Sequence, residues 1–140
     1  MKVIKRDGKS CDMHFDEVTA RVAALTYDLE KDTINAFKVA QKVFQSMYDG
    51  ILTADIDKLA AEVCISMATE HPNYATLASR ISISDHHKST SKRFYDAIKI
   101  LWEGGFLNEE IWTIVKNNIA ILEPVIDYRR DYLFDFFGFR

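Results

Sequence analysis

Four basic side chains within the first nine residues form the group in this sequence that is best suited to chemistry. They surround the pair Asp7-Gly8 and are Lys2, Lys5, Arg6 and Lys9. An Asp-Gly pair between runs of alternating polarity is a strong β-hairpin signal and favours a type I′ turn, in which both central residues have positive φ. Cations grouped around a turn attract an anion such as phosphate. The sequence therefore predicts a basic hairpin that binds an anion.

Three further features could contribute to the same site. They are the turn at residues 14–17, the pair Thr53 and Asp57 at the start of a predicted helix, and Lys88. A helix N-terminus offers free N–H groups to phosphates, and an acid at a helix start can accept hydrogen bonds from hydroxyls. Together these features outline a nucleotide pocket. The residues alone also allow a solvated surface, which is the more common outcome for basic turns and capped helices.

Cysteines and histidines indicate no metal or disulfide framework. Cys11 and Cys64 are far apart, and neither belongs to a CxxC motif, so we expect a reducing, cytoplasmic location. Cys64 lies in an apolar stripe and is expected in the core. The adjacent pair His86-His87 would point apart on a helix, so we predict solvated histidines and no metal site.

The balance of charge and hydropathy excludes two classes of partner. A net charge of −3 gives no overall attraction to nucleic acid, and no apolar stretch is long enough to span a membrane. Any basic site must be local. At 140 residues with 48% hydrophobic content, the chain is long enough for one sizeable core and a small second unit.

Apolar residues that recur every three to four positions predict four helices after the hairpin. We expect Asp16 to cap the first, Asp49-Gly50 to end the second with glycine as the left-handed C′ residue, and Thr53 to cap the third. Pro72 precedes the fourth helix, and Ile51-Leu52 could add a third short strand. The predicted fold is mainly α with a small β cap.

Around residues 85–93 the apolar pattern gives way to the basic stretch DHHKSTSKR, where we place the domain boundary. The predicted domains are residues 1–92 and a helical segment at residues 93–140, in which Asn108 should cap a helix. The aromatic C-terminus could be a partner anchor, a core strand or the edge of a truncated unit.

Five motifs follow one another along the chain: VIKRDG at residues 3–8, FDEVTARV at 15–22, LTADIDKLAAE at 52–62, HPNYATLASRI at 71–81 and HK at 87–88. In this order they resemble the ATP-cone of the ribonucleotide reductase large subunit, in its eukaryotic and viral type. The segment IDYRRDYLFDFFGFR at residues 126–140 resembles the part of that subunit that leads into its catalytic barrel. The resemblance covers nearly the whole chain.

This resemblance implies a three-stranded sheet over a four-helix bundle, followed by additional helices, that binds ATP or dATP as allosteric ligand with Mg²⁺ alongside. ATP would switch the reductase on, and dATP would switch it off by changing how large subunits assemble. Lys5, Arg6 and Lys88 would hold phosphates, while Thr53 and Asp57 would lie near the ribose. The residues that would face the adenine are Cys11, Asp12, Met13, His14, Phe15, Asp16 and Glu17.

Two departures from the family pattern carry further expectations. Many relatives have glutamate at the position of Cys11, and a thiol is a poor substitute acceptor for the adenine amino group. A degenerate cone that acts as a protein-interaction module is therefore the alternative function. Because neither cysteine matches the family's radical or redox cysteines, we expect no catalytic residue here. The implied partners are the rest of a large subunit or a second copy, and the radical-generating small subunit.

Overall fold

The computed structural model describes residues 1–30 and 32–140 and is built mainly from helices, with one small sheet. The strands are β1 (Lys2–Ile4), β2 (Ser10–Asp12) and β3 (Ile51–Leu52). The α-helices are α1 (Phe15–Ala23), α2 (Ala36–Ser46), α3 (Thr53–Ser66), α4 (Asn73–Ser89), α5 (Phe94–Glu103), α6 (Glu109–Val125) and α7 (Phe136–Phe139). Short 3₁₀ helices span Met67–Thr69 and Tyr128–Leu133. The predicted mainly α fold with a small β cap is confirmed.

The hairpin between β1 and β2 forms as predicted, but its turn is of a different kind. The Lys5 amide donates to the Lys9 carbonyl at 2.8 Å, and the Gly8 amide donates to the Lys5 carbonyl at 2.9 Å. The connection is therefore a three-residue bulged turn, in which only the glycine needs positive φ. Gly8 has φ +81°, whereas Asp7 is not among the described residues with positive φ. The predicted type I′ turn was wrong, because a single glycine satisfies the three-residue geometry.

The sheet has the order β2-β1-β3, with β1 antiparallel to β2 and parallel to β3. Val3 is the central residue, paired with Cys11 on one side and Ile51 on the other, and it is fully buried. The predicted third strand is thus confirmed. The Gly50 amide donates to the Lys2 carbonyl at 2.8 Å, which ties the turn before β3 to the hairpin.

Three predicted helix boundaries were wrong. In two cases an extended residue just before the helix is the N-cap, and in the third an extended residue ends the helix earlier than predicted. His14 and Leu52 are the N-cap residues of α1 and α3, without side-chain capping bonds, so Asp16 and Thr53 lie inside the first turns. Helix α2 ends at Ser46 with an extended Met47, so Gly50, at φ +85°, belongs to the turn into β3. Acids in a first turn still benefit from the helix dipole.

Residues 1–85 and 134–140 form one compact unit. Helix α1 packs on α2, α2 packs on α3, and the buried face of each helix carries the predicted apolar stripe. The core side chains include Val3, Val18, Val22, Leu25, Val39, Ala40, Val43, Ile56, Ala60, Cys64, Met67, Tyr74, Leu77 and Ile81. Periodic burial on four helices beneath the sheet produces the predicted bundle.

The C-terminal residues contribute to this same core. Phe136, in the short helix α7, is 4% exposed and belongs to the core cluster, while its neighbour Phe137 is 74% exposed. Asp135 caps α7 by accepting a hydrogen bond from the Gly138 amide at 2.5 Å. The segment is helical and does not form the core strand that the sequence allowed, and the exposed aromatic side chain of Phe137 remains on it.

Residues 86–133 form the second compact unit, in which α5 packs on α6. Trp102 and Trp112 stack with ring centroids 5.8 Å apart. Asn108 caps α6 as predicted, accepting from the Ile111 amide at 2.9 Å. The first compact unit ends at Asp85 and also includes residues 134–140, whereas the sequence placed the domain boundary after residue 92. The division into domains at residue 92 stays a prediction.

No helix within residues 1–30 and 32–140 combines the length and hydropathy needed to cross a lipid bilayer.

Candidate functional site

The buried carboxylate of Asp57 is the centre of a charged cluster in the first unit. Asp57 is 5% exposed and lies one turn into α3, beside the buried Ile56. Arg21, near the end of α1, donates from Nε to Asp57 Oδ1 at 3.1 Å. Arg6, in the hairpin turn, places Nη2 3.4 Å from Asp57 Oδ2. Residues 36 and 51 positions away in sequence therefore meet on one carboxylate.

Helix α4 supplies the remaining members of the cluster. Arg6 Nη2 donates a hydrogen bond to Asp85 Oδ1, and Arg21 Nη2 donates to Ser84 Oγ at 2.9 Å. Each guanidinium thus links α4 to Asp57 on α3. We define the Asp57 cluster as the side chains of Arg6, Arg21, Asp57, Ser84 and Asp85.

Burial decides what the Asp57 cluster can do. An ionised carboxylate removed from water needs opposite charge and hydrogen bonds close by, and here two guanidinium groups supply them. Arginine is suited to this position because its planar fork donates in two directions at once. The same fork also recognises phosphate groups, and a carboxylate accepts from hydroxyls. The Asp57 cluster therefore contains side chains of the types that contact phosphates and hydroxyl groups.

The hairpin turn presents the other predicted cations to solvent. The Lys5 side chain is exposed, and its backbone closes the turn. Lys9 Nζ lies 3.6 Å from Asp7 Oδ2 in an exposed ion pair. Of the predicted phosphate ligands on the hairpin, Arg6 joins the Asp57 cluster directly, and Lys5 is its neighbour in the chain.

The predicted adenine-facing residues follow the hairpin without a break, from β2 into α1. Cys11 is half-buried and pairs with Val3, and Phe15 packs edge-on against Phe37 and Phe44, with ring centroids 5.1 and 5.7 Å apart. The Phe15 ring is thus engaged with α2. The exposed members of the stretch are Asp12, His14, Asp16 and Glu17, and Met13 is half-buried against the core.

The two remaining predicted residues lie on different helices. Thr53 is half-buried at the first position of α3, one helical turn before Asp57. Lys88 lies in the last turn of α4, within the second compact unit, and its contact with phosphate stays a prediction.

Sequence reasoning missed three members of the Asp57 cluster, Arg21, Ser84 and Asp85. One signal was available for Arg21, because an arginine directly before the buried Val22 lies at the edge of the apolar face of α1. Ser84 and Asp85 follow the buried Ile83 in the same way on α4. These positions mark the borders of buried stripes, but the pattern does not say which borders meet.

A metal site made from protein ligands alone is not found in the described residues, where no three histidine, cysteine or acidic side chains converge. Magnesium in nucleotide sites is held largely by the phosphates themselves, with one or two carboxylates and several waters. The acidic side chains near the hairpin turn could supply the one or two carboxylates that this mode of binding requires. It does not require a preformed set of protein ligands for the metal.

Comparison with known proteins identifies the family of the chain. The ATP cone domain matches residues 1–89, which include the sheet, the four helices and all members of the Asp57 cluster. Over 99% of its length the chain is 41% identical to the ribonucleoside-diphosphate reductase large subunit of Caenorhabditis elegans, and it covers 19% of that protein. It is 41% identical to large chain 2 of the same reductase from Saccharomyces cerevisiae, of which it covers 17%. It is 37% identical to the vaccinia virus large subunit, of which it covers 19%.

Proposed function

Because the chain belongs to the ATP-cone domain family, we propose that it binds ATP and dATP and regulates a ribonucleoside-diphosphate reductase large subunit. The observation that carries the proposal is the contact between Arg6 and Asp57. It joins the basic hairpin turn to the start of α3, the two elements to which the family resemblance assigns the phosphates and the ribose. A nucleotide needs both kinds of contact a few ångströms apart.

In this proposal each part of the nucleotide has its own ligands. Lys5, Arg6 and Lys88 hold the phosphates, and Thr53 and Asp57 lie near the ribose and report whether its 2′-hydroxyl is present. The stretch from Cys11 to Glu17 lies along the adenine. Burial supports the role of Asp57, because a carboxylate held by two arginines keeps one position and can distinguish a hydroxyl from a hydrogen.

Magnesium accompanies the phosphates in the proposed complex. The cation offsets the charge of the triphosphate, and the chain need contribute no more than one or two carboxylates. Removal of Mg²⁺ with a chelator should weaken binding of ATP more than binding of adenosine, which has no phosphate to coordinate it.

Regulation would operate by linkage between nucleotide binding and assembly. ATP and dATP differ in their affinity for two assembly states, and a coupling free energy of roughly 1–3 kcal/mol shifts the balance about 5- to 150-fold. The chain makes and breaks no bond in this role. The chain spans less than a fifth of the length of these relatives. The reductase reaction, and the small subunit that takes part in it, are therefore proposed as what this chain regulates.

Isothermal titration calorimetry of the full 140-residue chain with ATP and with dATP tests the proposal. Binding of both nucleotides is expected, with the ratio of their affinities reduced in Asp57→Asn. Asp55→Asn is the matched control, since Asp55 lies two residues earlier on α3 and pairs with Lys58 at 3.1 Å. Absence of heat from both nucleotides at high micromolar concentration would exclude the proposal.

A second candidate function is a protein-interaction module without nucleotide binding. The exposed side chains of Phe134 and Phe137, which belong to the same unit as the buried Phe136, favour it, as does the thiol at Cys11. In that case Lys5→Ala and Asp57→Asn should bind the remainder of a large subunit as well as the unmodified chain does. Loss of that binding in either variant argues against this candidate.

A further inference from the structure

Arg21 is a member of the Asp57 cluster to which the resemblance assigns no role, and it contacts the carboxylate proposed to lie near the ribose. Its Nε donates to Asp57 Oδ1 at 3.1 Å, and its Nη2 donates to Ser84 Oγ at 2.9 Å. Arg21 is near the end of α1, whereas Asp57 is on α3 and Ser84 is on α4. The guanidinium group is thus held between two helices, and it fixes one oxygen of Asp57.

Asp57 contacts the two arginines of the cluster through different oxygens. Oδ1 accepts from Arg21, whereas Oδ2 lies 3.4 Å from Arg6 Nη2. This second distance is longer than the usual N–H···O range of about 2.7–3.2 Å, so the contact with Arg6 is the weaker of the two. Arg6 is therefore the arginine that can leave Asp57 at the lower cost in free energy.

A phosphate on Arg6 would draw this arginine away from Asp57. A guanidinium group forms paired hydrogen bonds with an oxyanion from Nε and Nη2 or from Nη1 and Nη2, and both pairs include Nη2. Arg21 keeps Asp57 charge-paired through Oδ1 in that state, so the buried carboxylate does not lose both arginines. Because a carboxylate oxygen can accept more than one hydrogen bond, Oδ2 can then accept from a ribose hydroxyl.

We propose that Arg21 is a positioning residue of the nucleotide site, which holds Asp57 in place while Arg6 turns to the phosphates. This inference rests on the proposed nucleotide-binding function and adds a residue that determines its specificity. Arg21 acts through Asp57: with Oδ1 held, the site can use Arg6 for a phosphate and Asp57 for a hydroxyl at the same time.

Loss of Arg21 should weaken nucleotide binding and reduce its specificity. In Arg21→Met, a phosphate must take Arg6 from a carboxylate that has already lost one guanidinium group. ATP and dATP should therefore bind about three- to tenfold more weakly, the range expected for loss of one charged hydrogen bond. The ratio of the two affinities should also shift toward one, because Asp57 is no longer held in one position.

A second substitution distinguishes positioning from support of the fold. In the background of Arg21→Met, Asp57→Asn removes the charge that retains Arg6, so most of the lost affinity for both nucleotides should return. The ratio of the two affinities should stay near one, because the carboxylate that contacts the hydroxyl is absent. If Arg21 only supported the fold, folded Arg21→Met would bind both nucleotides as the unmodified chain does.

The measurement is calorimetric titration of the full chain with ATP and dATP in the presence of Mg²⁺. Arg129→Met is the charge-matched control, since the Arg129 side chain is 88% exposed in the second unit and pairs with Asp127 at 2.8 Å. It should leave both affinities unchanged. Arg21→Gln provides a second neutral variant with the same expected loss, and circular dichroism verifies that each variant is folded.

The outcomes separate this inference from the function on which it rests. If the unmodified chain binds ATP and the folded neutral variants of Arg21 bind both nucleotides with unchanged affinities, the role of Arg21 is wrong and the nucleotide site stands. A loss of affinity that Asp57→Asn does not reverse also overturns it. If the unmodified chain binds neither nucleotide, the proposed function fails and this inference fails with it.

Discussion

Arg21 Nε lies 3.1 Å from Asp57 Oδ1, and this contact joins the end of α1 to the first part of α3 beneath the hairpin turn. The side chain of Asp57 is 7% exposed and that of Arg21 is 28% exposed, so the pair is largely shielded from water. Removing one partner of such a pair leaves a charge that water can no longer stabilise fully. The contact therefore has consequences for both stability and binding.

Replacement of Arg21 by methionine should destabilise the first unit. Because Arg6 still contacts Asp57, we expect a loss of about 1–3 kcal/mol in the free energy of unfolding, less than the cost of a fully unpaired buried charge. Urea denaturation followed by far-UV circular dichroism measures it.

A double-mutant cycle shows whether the pair itself is responsible. In the background of Arg21→Met, Asp57→Asn should recover part of the lost stability, because it removes the poorly compensated charge. Arg21→Lys retains the charge but lacks the second donor to Ser84, so it should have an intermediate stability. Equal stabilities for Arg21→Met and the unmodified chain would contradict the prediction.

Phe136→Ala should also destabilise the first unit, although the residue lies near the C-terminus. A buried aromatic side chain that is truncated to alanine loses its burial and leaves a cavity, and we expect a loss of about 3 kcal/mol. Amide hydrogen exchange of the α1–α4 core measures this loss directly.

The adjacent residue provides the control for Phe136. Phe137 is 74% exposed, so Phe137→Ala should leave core exchange nearly unchanged. Both tryptophans, Trp102 and Trp112, lie in the second unit, so their fluorescence follows that unit separately. Equal exchange rates for the two variants would show that Phe136 does not support the core.

The two cysteines should differ strongly in reactivity toward a thiol reagent. Burial raises the pKa of the Cys64 thiol to about 12, so Cys64 is protonated and shielded at neutral pH. Cys11 is half-buried on the outer strand β2. Iodoacetamide at pH 8 should label Cys11 in the folded chain and Cys64 only after unfolding.

The raised pKa of Cys64 also sets a sign for stability at high pH. Because the pKa is higher in the folded chain than in the unfolded chain, the unfolded chain releases this proton first. Stability should fall as the pH rises from about 9 toward 12.

In the folded Cys11→Ser variant no label should be incorporated at pH 8, and label on Cys64 there would contradict the assignment.

Glu123 gives the second unit a pH dependence at the acidic end. Partial burial raises the pKa of Glu123. Hydrogen bonds from the Tyr95 and Phe94 amides and the Tyr128 hydroxyl, with the charge of Arg93, together outweigh that effect and hold the pKa of Glu123 below its usual range. The stabilising contribution of Glu123 to the free energy of unfolding is present above the ordinary glutamate pKa. It is lost as the pH falls through the lowered pKa of Glu123. NMR titration of the two amide resonances should detect this loss at the start of α5.

Substitution of the glutamate isolates its role. Glu123→Gln should loosen the start of α5 at neutral pH, whereas Glu110→Gln in the exposed first turn of α6 should leave the Phe94 and Tyr95 resonances in place. If the amide resonances of the unmodified chain do not move between pH 6 and about pH 3, the interaction is not the one described.

Much of the fold follows from local patterns in the sequence. The apolar stripes on α1 to α4 recur with the helical period, and most of the residues that carry them are buried or pack against the core. Ile51 and Leu52 are enough to complete a third strand because β1 offers a free edge beside Val3. The turn and cap details were predicted less well, because several geometries satisfy the same residues: one glycine at position 8 allows a bulged turn as readily as a two-residue one.

The candidate site was predictable only in part, since its members come from four elements. The basic hairpin and Asp57 could be identified from residue type and position at a helix start, and the resemblance placed them in one pocket. Arg21, Ser84 and Asp85 could not be selected in this way, because polar residues beside a buried stripe look alike until the helices pack.

The sequence by itself thus determined which faces of the helices are buried and where the basic turn lies, since hydrophobic periodicity and turn chemistry act over a few neighbouring residues. Only the tertiary structure decided that Arg6 reaches Asp57 and Asp85 over separations of 51 and 79 residues, and that Phe136 fills the core of the first unit. Contacts between distant segments depend on how buried faces fit together, and no local pattern encodes that fit.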